Sequence, residues 1–163
     1  LFYLDEKYPS GSFLGYRSVN RAEAVKFLLR VRFGDVESER NLDGSGGFPD
    51  VLSMEWYRPY VVKAVQNRII HGYPDGLFRP ANGVNTVEFL KMLTKTFGLP
   101  ENLAHSYEDV EKSAWYGKYV GVAEYYQLFP KRIQKLEPGQ SLTRDEVAVA
   151  IYQYLLNRDR YAQ

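Results

Sequence analysis

Two stretches of this chain hold a common register over a long separation. Phe48-Pro49-Asp50-Val51 leads to Trp56-Tyr57, and Tyr107-Glu108-Asp109-Val110 leads to Trp115-Tyr116, so aspartate and tryptophan both recur after 59 residues. Glu88 recurs as Glu146 after 58 residues, while Tyr8 to Tyr73 and Glu23 to Glu88 share an offset of 65. So consistent a register means internal repetition. Repeats of this size bury too little by themselves, so the copies must pack on one another, with related sites where they meet.

Each unit predicts a first helix, a loop and a second helix. The first helix of the central unit is expected from about Glu55 to Ile70, ending into Gly72, with Tyr60, Val61, Ala64, Val65 and Ile69 at helical spacing. Pro59 falls in its first turn, where a missing N–H does little harm. Tyr119, Val120, Ala123 and Tyr126 play the same part in the last unit. The second helices carry the stripes Ala24-Phe27-Leu28-Val31, Phe89-Leu90-Leu93-Phe97 and Val147-Ala150-Ile151-Tyr154-Leu155. All three begin with a capping-box pattern: Asn20-x-x-Glu23, Asn85-x-x-Glu88 and Thr143-x-x-Glu146. Losing such a cap costs about 1 kcal/mol, and helix starting is the default role of these residues.

The central loop, Gly72 through Pro80, reads as a tight turn. Gly72 and Gly76 supply positive φ or close approach, and Asp75 closes the loop by an Asx-type bond. The last unit has Phe129-Pro130-Lys131-Arg132-Ile133 there instead, and Lys131 and Arg132 could substitute charge for shape. The first unit, with Tyr8 to Phe13 as its loop, lacks most of a first helix, which suggests a piece of something longer. The expected division is a partial unit at 1–36, a glycine-rich linker at 37–47, and units at 48–106 and 107–163, in one compact all-α domain.

Composition narrows the function. With 21 basic against 20 acidic residues, the net charge of +1 argues against a nucleic-acid partner. The cluster Arg17, Arg21, Lys26, Arg30 and Arg32 reads as the solvated side of a helix. The absence of cysteine removes disulfides and thiolate chemistry. No apolar run nears the roughly 20 residues that span a bilayer, so membrane insertion is not expected. Two histidines, His71 and His105, without ligand spacing and without a nucleophile elbow or phosphate loop, argue against an enzyme; no cofactor and no metal is expected. Glu108 and Asp109 read as helix caps.

These motifs resemble the S-layer homology (SLH) domain, whose hallmarks are an F-x-D-V start, an aromatic shortly after, a G-Y-x-D-G-x-F-x-P loop and a T-R-A-E helix start. Phe48 to Val51, Trp56 and Gly72 to Pro80 carry the likeness in the central unit. Asp109-Val110, Trp115 and Thr143 to Glu146 carry it in the last, and Asn20 to Glu23 in the first. The resemblance implies three units about a pseudo-threefold axis, with grooves between them holding a ligand. It also implies an extracellular place on a bacterial surface, with anchoring to cell-wall polysaccharide, commonly pyruvylated, or to peptidoglycan-linked groups.

A sugar carboxylate needs directional donors and positive charge, which helix starts offer through free N–H groups and the dipole. The residues just after the caps are Arg21 and Arg144, and a guanidinium can hold a carboxylate through two bonds. The central unit has Thr86 at that position, so its site should be weak or absent. The alternative is that the arginines brace acidic neighbours. Trp56 and Trp115 are candidate sugar platforms, although one tryptophan per unit more often plugs the core. Gly72, Tyr73, Asp75 and Gly76 complete the expected ligand-binding set. The competing function is an assembly module that self-associates or pairs with other protein chains and binds no glycan.

Overall fold

The computed structural model describes residues 14–36, 47–111 and 113–160. The loop expected at Tyr8 to Phe13 and the linker at 37–46 lie outside the described residues. Among the described residues the fold is all-helical: α1 (Arg21–Phe33), α2 (Arg58–Gln66), α3 (Thr86–Phe97), α4 (Gly117–Tyr125), α5 (Arg144–Asn157) and a closing 3-10 turn (Arg158–Arg160).

α1, α3 and α5 begin at capping boxes. In each, the Asn20, Asn85 or Thr143 side chain accepts from the amide three residues on, and Glu23, Glu88 or Glu146 bonds back to the cap amide. α2 and α4 are shorter than their apolar spacing suggests. α2 does not run to Ile70. Arg68 turns left-handed (φ 56), and the Ile69 amide reaches back to the Ala64 carbonyl at 2.8 Å. Gln127 (φ 54) and Leu128 close α4 onto Ala123 in the same way, at 2.9 Å. Such a left-handed close satisfies carbonyls that a helix end leaves open. Ile69 and Leu128 are buried, so the chain leaves each helix inward.

The residue before each second helix's cap joins a ring of backbone bonds. The Val19 amide donates to Leu142, Leu142 to Val84, and Val84 to Val19, at 2.9, 3.0 and 2.9 Å. All three side chains are fully buried, so the bonds lie out of water, where an unpaired amide would cost most. Outside this ring the loops dock on helix starts. Carbonyls of Asn82 and Pro80 accept from the first two amides of α1, those of Gln140 and Pro138 from α3, and those of Arg17 and Gly15 from α5.

α1 packs along α2 and against α3, and α3 packs along α4. α5 meets the others through Tyr154, whose ring lies 4.3 Å from Phe97 and 5.4 Å from Tyr126. Among the described residues no helix runs along α5 as α2 and α4 run along α1 and α3. One continuous apolar core includes the expected stripes, with Phe27, Val31, Val65, Phe97 and Leu155 at its margin.

Candidate functional site at the helix seams

Each seam forms where loop carbonyls meet the first amides of α1, α3 or α5. In the best-defined one, Arg21 opens α1 and is buried against the central loop. Its Nε donates to the Phe78 carbonyl at 3.0 Å, and Nη1 lies 3.5 Å from Glu88. Its guanidinium lies 4.7 Å from the Tyr73 ring centroid and 5.1 Å from that of Phe78. Among the described residues Nη2 has no partner. Tyr73 donates its hydroxyl to Glu88 at 3.1 Å. Burial, with Glu88 adding to it, lifts that hydroxyl above the usual tyrosine range against the pull of Arg21.

The loop is built much as its sequence suggests. Asp75 accepts from the Leu77 amide (3.1 Å) and pairs with Arg79 at 2.6 Å. Arg79 holds the Asp75 carboxyl below the usual range, with the Leu77 amide helping. Gly76 takes φ 80, which an L side chain rarely adopts. Gly72 has ordinary φ but no room: a Cβ there would run into the Phe48 ring and stand 2.9 Å from the Leu77 carbonyl. Asp50, two residues after Phe48, clasps the loop by accepting from the Phe78 and Arg79 amides at 2.9 and 2.7 Å. Asp109 does the same for Leu136 and Glu137, both at 2.8 Å, so it is a loop clasp and not the helix cap expected from sequence.

Two further expectations need correction. Trp56 and Trp115 do not plug the core: they are 47% and 58% exposed. Each stands edge-on to the following tyrosine, with centroids 5.4 and 5.6 Å apart. A lysine from the preceding second helix covers each, Lys26 at 5.0 Å from Trp56 and Lys91 at 5.5 Å from Trp115. The amides at the helix starts are not free either, because the first two meet loop carbonyls and the third meets its cap. An anion reaching a seam would therefore meet side chains, not helix-end N–H groups.

Sequence reasoning read Lys26 only as part of a solvated helix face and missed Lys91, although Glu23-x-x-Lys26 and Glu88-x-x-Lys91 repeat at the offset of 65. Lys91 joins the pieces. It sits one turn beyond Glu88, over Trp115, and close enough to Lys118, Arg21 and Lys95 to feel their charge. Burial first, and those cations next, hold its ammonium below the usual lysine range. Lys95 and Lys118 both pair with Glu101, at 2.6 and 3.0 Å. Successive contacts thus link Arg21 to Tyr73, Tyr73 to Glu88, Glu88 to Lys91 and Lys91 to Trp115. Arg144 is likewise buried at the start of α5, 5.8 Å from the Phe27 ring of α1, the helix that carries Lys26 toward Trp56. Neither Arg21 nor Arg144 lies on a solvated helix face.

Residues 47–85, which hold Trp56, the clasp and the glycine turn, match the S-layer homology domain. Similar proteins include the middle cell wall protein of Brevibacillus brevis, 28% identical over 66% of this chain and 9% of that protein. The cellulosome-anchoring protein of Acetivibrio thermocellus is 27% identical over 93% of this chain and 35% of its own length. An endoglucanase of a Bacillus species is 29% identical over 82% of this chain. The match takes in 15% of that protein, so it says nothing of enzyme activity here. The chain spans less than two thirds of each of these relatives. Among the described residues no helix is long and apolar enough to cross a membrane, and no group of three or more His, Asp or Glu could hold a metal ion.

Proposed function

We propose that this chain is a non-catalytic anchoring module of the bacterial cell surface that holds an acidic wall polysaccharide, of pyruvate-ketal type, in the grooves between three quasi-equivalent units. The continuity of Arg21, Lys91 and Trp115 carries the reading. An exposed indole offers a face on which a sugar ring can stack. A partly desolvated ammonium beside it lacks a full hydration shell, so a carboxylate costs it little and returns much. Arg21 backs that position with a second cation, whose Nη2 is open among the described residues. The ring of Val19, Val84 and Leu142 supports the division into three units about one axis. The names of the relatives, a cell wall protein and an anchoring protein, agree with an extracellular, wall-bound place.

Retention on purified wall polysaccharide tests this reading. The wild type should be held, and Lys91→Ala with Trp115→Ala should be released while keeping its helical circular dichroism. Equal retention of both would defeat it.

A second reading, pairing with a protein partner, is favoured by one observation. α5 presents Val149, Tyr152 and Leu156 as an exposed apolar stripe. Light scattering after size exclusion decides: a mass that does not change with concentration counts against self-association.

A further inference from the structure

The seam at the start of α3 lacks an arginine at its first helical position, where Thr86 replaces the residue that is Arg21 in α1 and Arg144 in α5. Its guanidinium comes from the last loop. The Arg132 side chain is 8% exposed there and donates from Nη1 to the Thr86 hydroxyl and to the Leu136 carbonyl, both at 2.8 Å. Its Nη2 donates to Glu146, and Nε lies 3.6 Å from Glu137.

Leu136 is the counterpart of Phe78, since Asp109 clasps it as Asp50 clasps Phe78. Glu146 is the counterpart of Glu88 in its capping box. Arg132 therefore grips the same two groups as Arg21: the carbonyl of the clasped loop residue and the cap glutamate. Counted on from the matching helix closures at Ile69 and Leu128, Arg132 occupies the place of Tyr73, whose hydroxyl binds Glu88.

We infer that Thr86 and Arg132 are a matched exchange for Arg21 and Tyr73, in which the guanidinium has moved from the helix start to the loop and become a lock. Arg21 leaves Nη2 open among the described residues, whereas Arg132 engages protein oxygens through all three of its nitrogens. One turn beyond Glu146 the chain has Val149 in the place of Lys26 and Lys91. This seam holds the last loop on α3 and takes no acidic ligand. That last clause rests on the groove reading above; the exchange itself does not.

A thermal cycle over the wild type, Arg132→Tyr, Thr86→Arg and the double variant tests the exchange. Arg132→Tyr leaves Glu146 and Glu137 without their shared cation and should lower the melting midpoint by roughly 6 °C or more. Adding Thr86→Arg should recover at least half of that loss, whereas Thr86→Lys, lacking the planar fork, should recover little. An unchanged midpoint in Arg132→Tyr, or no recovery in the double variant, would overturn the exchange. Calorimetric titration with an acidic wall-polysaccharide fragment then tests the lock. Arg132→Tyr, measured below its melting range, should bind as many fragments per chain as the wild type, and the loss of a site would overturn it. A wild type that binds no fragment would instead sink the groove reading and leave the thermal cycle to judge the exchange.

Discussion

α3 and α5 start alike and end in different surroundings. Both open at a capping box, both send a loop-bound glutamate back to the cap, and both line the same core. Their outer faces diverge, among other places, at the register position of Thr94 and Tyr152. Leu29 of α1 is 0% exposed and Thr94 of α3 is 1% exposed, but Tyr152, which follows at the next repeat offset, is 61% exposed. α2 packs along α1 and α4 along α3, whereas among the described residues no helix runs along α5. Burial at this position therefore depends on the neighbouring helix as much as on the residue itself.

The comparison breaks most readily at that position. Leu29→Ala should destabilise by about 2–5 kcal/mol, the usual range for truncating a buried leucine. Tyr152→Ala should stay within about 0.5 kcal/mol, as exposed substitutions do. Urea titration of both variants checks this, and equal losses would mean that α5 is covered in solution.

The next effect concerns ligand. Lys91→Ala should weaken polysaccharide binding about tenfold, equivalent to about 1.4 kcal/mol, whereas Val149→Ala at the matching place on α5 should leave binding unchanged. Titration calorimetry distinguishes them, and equal effects would show that the seams are not specialised.

A smaller effect depends on pH. Burial pushes the Glu146 carboxyl up, but the Thr143 amide and Arg132 together outweigh it, and the group ends below its ordinary 4.5. A carboxyl depressed in the folded state adds stability above its unfolded pKa and loses it as pH falls through the folded one. The melting midpoint should therefore drop as pH falls below about 4.5, and Arg132→Tyr should show a shallower drop. A parallel drop in the two proteins would remove Arg132 from that linkage.

Much of this was legible in the chain because local rules and repeat register agree. The three capping boxes, the Asx turn at Asp75 and the left-handed Gly76 follow from residue chemistry alone, and the structure has each of them. The early ends of α2 and α4 did not, because Arg68 and Gln127 take a conformation that sequence assigns to glycine. The clasp by Asp50 and Asp109 reaches across about 28 residues, beyond any helical or turn rule, although the matched offset of the two aspartates marked them. The core reading of Trp56 and Trp115 fails because one tryptophan per unit suits a core and a rim equally well by pattern. Only the lysine on the neighbouring helix decides between them, and neighbours are fixed by tertiary packing. Arg132 was visible as a charge in the wrong loop, but its partnership with Thr86 needed the fold.

The most direct test of the central claim is calorimetric titration of the wild type with purified wall polysaccharide, before and after its acidic substituents are removed. Saturable binding that disappears with the acid groups, and that Lys91→Ala with Trp115→Ala abolishes in the intact polymer, is the expected result. Binding that survives removal of the acid groups, or is untouched in that double variant, would contradict an anion held between Arg21, Lys91 and Trp115.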